Sequence, residues 1–446
     1  MTNSPLWLSQ LQFFFSLGFL GLFLLTQVGL AWVLVFFKLR ARGGVQSRYV
    51  AAYRFWVRVF ALTAILVMAA GVPVLVQLGS VWPGLMGKMG NVAGPLMAAV
   101  IITTFVFKSC FLGAMLFGQR RMSDTLHTVM VVLVAIGLTL ALAWAMVLMS
   151  WMQSPTGAEF SDGLYRVVDW YALIFNPFFP SFLGLALVIS ALVAGFLMMG
   201  VTARHSLHHT VDDTDRSVFQ TGLGLAAAGS VVLFVLLALY GVQVAVNQPA
   251  KAAATAAYWV SGSAPDLPLL AWPSESGVRN LFSVVLPDLA RPWLGVDEIG
   301  VSLGLDKFAG MHAPVALTFW SWRLLVILAG GVFFFSWLTL LYLRRHAFEL
   351  TALPQGWRRG LSACRYVGWA LLGLFMVHVW LGQAPFAVYG TVTLAEVAVS
   401  ESNDVLFATT LAYGVVYVLL LAGFIQLLNY SVRYGVVPVA RRRGRA

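Results

Sequence analysis

Long apolar runs, separated by short polar or basic stretches, recur along the whole chain. A helix crosses a bilayer with about 20 mostly apolar residues. Runs of that length fall at roughly 12–37, 54–79, 95–118, 126–152, 178–203, 218–247, 314–343, 361–382 and 405–431. The pattern predicts an all-α membrane protein of about nine transmembrane helices in bundles, forming one domain over residues 1–446. Two segments break the rhythm. Residues 153–177 carry Pro155, Gly157 and Pro177, with Trp170 and Tyr171 placed for the headgroup level. Residues 248–313 are too long for a tight connection and too weakly periodic for a separate domain, so they are expected to cap the helices on one side.

Of 446 residues, 60% are hydrophobic and only 10% charged, which is more apolar surface than a soluble domain can hide. The formal charge of +11 would suit a nucleic acid, but the basic residues sit in short connections between spans. Membrane orientation accounts for them, and no nucleic-acid partner is expected. Lys38, Arg40, Arg42, Arg48 and Arg54 follow the first span, Arg120 and Arg121 the third, and Arg204 and Arg216 the fifth. Arg344, Arg345, Arg358, Arg359 and Arg365 follow the seventh, and Arg433, Arg441, Arg442, Arg443 and Arg445 the ninth. Positive charge is retained inside, so the N-terminus is expected outside and the C-terminus inside. An odd number of spans requires the same. No cleavable signal peptide is expected, because the first apolar run is long and lacks a basic leading region.

Soluble chemistry leaves no signature. Phosphate-loop, dinucleotide-binding and HExxH motifs are absent. Cys110 and Cys364 fall inside spans and support neither a disulfide framework nor a cysteine metal site. His205, His208 and His209 lie beside Asp212, Asp213 and Asp215, and a solvated inner loop explains that mixture better than a metal site. The exceptions are charges within spans. Lys108 sits near the middle of Pro95–Gly118, where an ammonium costs at least ~2.5 kcal/mol on insertion scales. It can snorkel to an interface, lose its proton, or meet an acid on a partner chain. Arg323 is a second intramembrane charge.

Several motifs resemble subunit I of cytochrome bd-type quinol oxidases. They are LSQLQF before the first span, Gly90 to Leu96 opening the third, FLG…FG from Phe111 to Gly118 closing it, and WMQSPTG from Trp151 to Gly157. Asn176-Pro177, QPAK from Gln248 to Lys251, Trp322-Arg323 and GQAPF from Gly382 to Phe386 follow in order. WMQxPxG is the specific one, and the likeness covers nearly the whole chain. It implies a bacterial-type plasma (inner) membrane protein with haems b and d, a quinol-binding outer loop at 248–313, and partners in the respiratory chain.

The resemblance also implies haem ligands and proton-path carboxylates that this sequence does not carry. Leu20 stands at the histidine position of helix one, Leu185 at that of helix five, and Leu325 at the methionine position of helix seven. Val100 and Lys108 replace the two glutamates of helix three, Trp380 replaces a glutamate of helix eight, and Gln383 an arginine. Lys251 matches the quinol-loop lysine, while Ala256 replaces its glutamate. The spans at 12–37 and 314–343 contain no His, Met, Cys, Asp or Glu, and span 178–203 offers only Met198 and Met199. His378, near Met376, is the one candidate for a relocated ligand; His127, His312 and His346 read as interfacial or loop residues. No cofactor is expected, with a quinone conceivable at Lys251 and Trp259. The sequence reads as a haem-free scaffold beside a subunit II-like or haem-bearing subunit I-like chain. An oxidase subunit with rearranged ligands is the alternative, and a transporter or channel using Lys108 a third reading, although no inverted repeat supports it.

Overall fold

The computed structural model describes residues 5–41, 47–118, 121–308, 310–397 and 403–434. Among them, nine helices are long and apolar enough to cross a membrane. They are α1 (Pro5–Ala41), α2 (Ser47–Ser80), α3 (Pro83–Phe107), α4 (Asp124–Trp151), α5 (Phe179–Ser206), α6 (Asp213–Asn247), α7 (Val315–Arg345), α8 (Val367–Gly382) and α9 (Asn403–Tyr434). Helix α3 continues through a π-turn at Lys108–Leu112 into Gly113–Phe117. A short helix, Gln355–Ala363, leads into α8.

Helices α1–α4 form one group and α5–α8 another, with α9 laid against α1. The two groups meet where α1 crosses α5. A Cβ on Gly29 would lie 2.1 Å from the Ser190 carbonyl oxygen, so only glycine permits this approach. Ser190 and Ala194 face it, a spacing of small residues that lets membrane helices come together. Ser190 returns its hydroxyl to Ala186 O at 2.7 Å, so its own polar group is satisfied at the crossing.

The two ends differ in chemistry. At the basic end, Lys38 pairs with Asp124 and Arg216 with Glu349, while Arg358 donates to Ser206 O at 2.8 Å and Arg365 to Asn429 Oδ1 at 3.0 Å. Arg42, Arg120, Arg441, Arg442, Arg443 and Arg445 lie outside the described residues. The opposite, loop-rich end carries an antiparallel pair β1 (Ala158–Ser161) and β2 (Leu164–Val167), and a loop helix Pro249–Ala256. It also holds the hairpin β3 (Leu267–Ser274) and β4 (Arg279–Leu286) and the pair β5 (Phe386–Val388) and β6 (Val392–Thr393). The 248–313 segment therefore contains a helix and a hairpin, joined and followed by irregular chain.

Three sequence expectations change. The third helix starts at Pro83, with proline at its first position where a missing N–H is harmless. Gly90 to Pro95 is thus an internal stretch, and Lys108 falls toward the basic end instead of mid-span. His127, in the first turn of α4 at the basic end, is buried within the protein: its Nε2 lies 3.1 Å from Met115 O and its ring stands edge-on to Tyr53. Lys38 is likewise buried inside α1, not in a loop. His205 stacks on His209 and lies 3.5 Å from Asp215, and among the described residues no group of three His, Cys, Asp or Glu could hold a metal.

The crossing of α1 and α5 gives a direct test. Gly29→Ala should destabilise the protein by about 1–3 kcal/mol through overpacking. Gly18→Ala, with nothing within 4 Å of the new methyl, should not. Thermal midpoints in detergent compare the two.

Candidate functional site

Two features stand out: a buried polar cluster at the loop-rich end and a large cavity in the first helix group. The cluster centres on Lys251, on the loop helix that follows α6. Lys251 is 1% exposed and threads past Gly382, whose Cβ would lie 2.7 Å from the lysine Cε. Its Nζ reaches Tyr240 Oη at 2.9 Å, Gln153 Oε1 at 3.4 Å and Val379 O at 3.4 Å. Gln248 donates to Gln153 O at 2.8 Å and to Gln153 Oε1 at 3.1 Å. Gln153 in turn donates to Gln383, which holds the Ala387 carbonyl at 3.1 Å. Glutamines from three distant segments thus tie the ends of α4, α6 and α8 together.

No carboxylate enters this cluster among the described residues. Burial pushes the Lys251 ammonium from about 10.5 down to about 7. A neutral amine fits the geometry, since its lone pair can accept from the Tyr240 hydroxyl while two N–H groups donate. His378 is 1% exposed and lies beside the same tyrosine, with ring centroids 6.0 Å apart and Trp322 at 4.9 Å. Ser321 Oγ is 3.4 Å from His378 Nδ1 and gives its own proton to Thr318 O at 3.0 Å. Arg323 donates to Pro268 O of β3 at 2.6 and 3.1 Å and lies over Phe319.

Lys251, the residue at which a quinone was conceivable from the sequence, is buried and not on the loop surface. The side chain points into the bundle, because its polar partners are there. Trp259 donates to Asn280 Oδ1 at 3.0 Å within the loop. Ala256 packs with Ala290 and Leu294, an apolar site in place of the expected acid.

The cavity, about 930 Å³, is bounded by α1, α2, α3, α4 and α8. Leu20, Val100, Lys108 and Trp380 all line it. These four positions come from three helices, and they are four of those at which ligands or carboxylates were missed in the sequence. Leu185 and Leu325, by contrast, are fully buried in the main core.

The family profile described as "Cytochrome bd terminal oxidase subunit I" matches residues 8–436. The chain belongs to this family. It is 24% identical to the Bacillus subtilis (strain 168) cytochrome bd ubiquinol oxidase subunit 1 over 97% of this chain and 94% of that one. It is 28% identical to the Escherichia coli (strain K12) cytochrome bd-II ubiquinol oxidase subunit 1, over 63% of this chain and 55% of that relative's length. The bd oxidase structure from Geobacillus thermodenitrificans superposes with a TM-score of 0.85 at 19% identity, covering 97% of this chain and 99% of that one. The fold is therefore that of bd oxidase, and the chain is a multi-pass membrane protein of the bacterial respiratory bd oxidase family.

The family binds haems b and d, so the cavity tests whether such a group fits here. Its wall contains no histidine, cysteine or carboxylate among the described residues. The Met68, Met89, Met97, Met149 and Met152 thioethers and the Lys108 amine are the donors it offers. The space suits a large group, but the donors do not match the histidine and glutamate set that the family likeness implies. Leu185 and Leu325 are fully buried among apolar side chains of the main core. Met198 and Met199 are fully buried in the packed core, where Met198 Cβ and Met199 Cγ crowd Gly222.

Tyr240, Gln153, Gln248 and Gln383 carry the buried cluster, and sequence reasoning did not group them. Three belong to recognised motifs, but only the fold brings those motifs together.

The buried amine predicts a pH dependence. Between about pH 7 and about pH 10.5 the unfolded chain keeps a proton that folded Lys251 has released, so stability rises with pH across that window. The thermal midpoint of the detergent-solubilised protein should climb over this range. Lys251→Met should flatten the climb, and an unchanged slope in that variant would refute the assignment.

Proposed function

We propose that this chain is a haem-free subunit I-like member of a respiratory membrane complex. It serves as a structural partner to a haem-bearing subunit I-like chain or to a subunit II-like chain. The observation that carries the reading is the cavity wall, where Leu20, Val100, Lys108 and Trp380 meet without one histidine or carboxylate. The closed packing around Leu185 and Leu325 supports it from the second helix group. The N-terminus lies outside and the C-terminus inside in this reading, with the loop-rich end facing outward.

The alternative, an active quinol:oxygen oxidoreductase subunit, depends on His378. Its contacts favour a packed, hydrogen-bonded histidine: one ring nitrogen faces Ser321, and Trp322 and Tyr240 enclose the ring. Quinol oxidation at Lys251 finds no carboxylate to relay a proton onward, because none reaches the amine. Binding of a quinone there would first require the loop helix to move.

A reduced-minus-oxidised spectrum of the purified chain decides between the readings. The scaffold reading expects less than stoichiometric haem and no change in the spectrum for His378→Ala. One or more haems per chain, lost on His378→Ala, would establish the oxidase reading instead.

A further inference from the structure

The cavity in the first helix group has a cation at one end, and nothing in the haem-free reading uses it. Lys108 lies 25 positions after Pro83, or roughly 37 Å along α3, and nine before Phe117, roughly 14 Å from the basic end. Its side chain lines the cavity. The π-turn Lys108–Leu112 interrupts the regular helix at this point, a device frequent at functional sites. Among the described residues no acid forms an ion pair with Lys108, and the cavity wall has no Asp or Glu. An isolated ammonium beside apolar walls is costly.

The rest of the cavity is shaped for a chain. Along α1 its wall runs from Trp7 to Leu24, roughly 25 Å, most of the ~30 Å hydrocarbon thickness. Polar groups lie toward its ends, Lys108 and Ser109 at one and Gln10 and Gln383 at the other. Met68 and Val72 of α2 and Ile101 and Phe105 of α3 line the cavity and are also exposed, so it opens sideways to lipid.

We propose that the cavity binds a membrane amphiphile with an acidic head, a phospholipid phosphate or a fatty-acid carboxylate. The head pairs with Lys108 and the chain extends along α1 toward Gln383. Charge complementarity selects the acid, and the lateral opening gives it a route from the bilayer. The inference rests on the haem-free reading in one respect: the cavity must be available to another occupant.

The test uses the full chain purified in mild detergent. Organic extraction with mass spectrometry identifies what co-purifies. Native mass spectrometry then follows added phosphatidylglycerol, oleate and phosphatidylcholine. The parent and Lys108→Arg should retain one acidic amphiphile per chain. Lys108→Met should lower retention roughly tenfold, as loss of one charge-assisted contact implies. Leu20→Trp, which fills the cavity but keeps the lysine, should lower it as well. Preference for phosphatidylglycerol would assign a phospholipid, and preference for oleate a fatty acid; either supports the proposal. Equal retention in all variants, equal binding of phosphatidylcholine, or retention unaffected by Leu20→Trp would overturn it. So would a quinone in the extract. Haem in the extract would overturn the scaffold reading too, whereas an extract with neither haem nor amphiphile would overturn this inference alone.

Discussion

The contact of α1 with α5 at Gly29 and Ser190 is the constraint on which the rest of the structure depends. Lipid tails are as apolar as the helix surfaces, so membrane helices associate through close packing and not through escape from water. Where one helix carries glycine against the other's carbonyl, two groups of helices become one body. The crossing fixes the height and rotation of α1, which then faces the cavity on one side and the packed core on the other. Residues from Trp7 to Leu24 look into the first group, while Phe19 and Phe23 meet aromatic rings of α8 and α9.

The two helix groups resolve missing ligands in different ways. In the second, Leu185, Leu325, Phe182, Phe375 and Tyr240 close the interior, as close-packed cores do. In the first, Leu20 and Val100 are too small to fill the space among α1–α4, and a cavity remains. A leucine in place of a ligand therefore does not mean a filled site; the outcome depends on how near the facing helix can come. Met68 of α2 and Phe105 of α3 both line this cavity and are exposed at its side.

The loop-rich end shows the opposite economy of space. Gln153, Gln248, Gln383 and Lys251 are linked by hydrogen bonds inside the protein, with only Gln248 Oε1 among them left without a partner, and each lies in a motif by which the family is recognised. Buried polar groups need partners, and the partners here come from segments as far apart as residues 153 and 383. The glycine at 382 belongs to the same arrangement, since a side chain there would expel Lys251 from its place.

The sequence by itself determined the nine spans, the all-α class, the family, and the lack of histidine and carboxylate donors in the first, third, fifth and seventh spans. These are local quantities: apolar length and residue type are summed along one helix at a time. It also marked Lys108, because a charge within an apolar run needs no neighbour to be conspicuous. Tertiary structure decided what lies opposite each residue. It placed Leu20, Val100, Lys108 and Trp380 around one cavity, turned Lys251 inward, buried His127 and formed a helix at Pro249–Ala256 and a hairpin of β3 and β4 in the long loop. The start of α3 at Pro83 was missed because Gly84, Gly87 and Gly90 weaken the apolar pattern there, while packing against α4 and the loop-rich end restores the helix. Burial and cavities arise from the approach of segments distant in the chain, and a helix's own periodicity carries no record of its neighbour's distance.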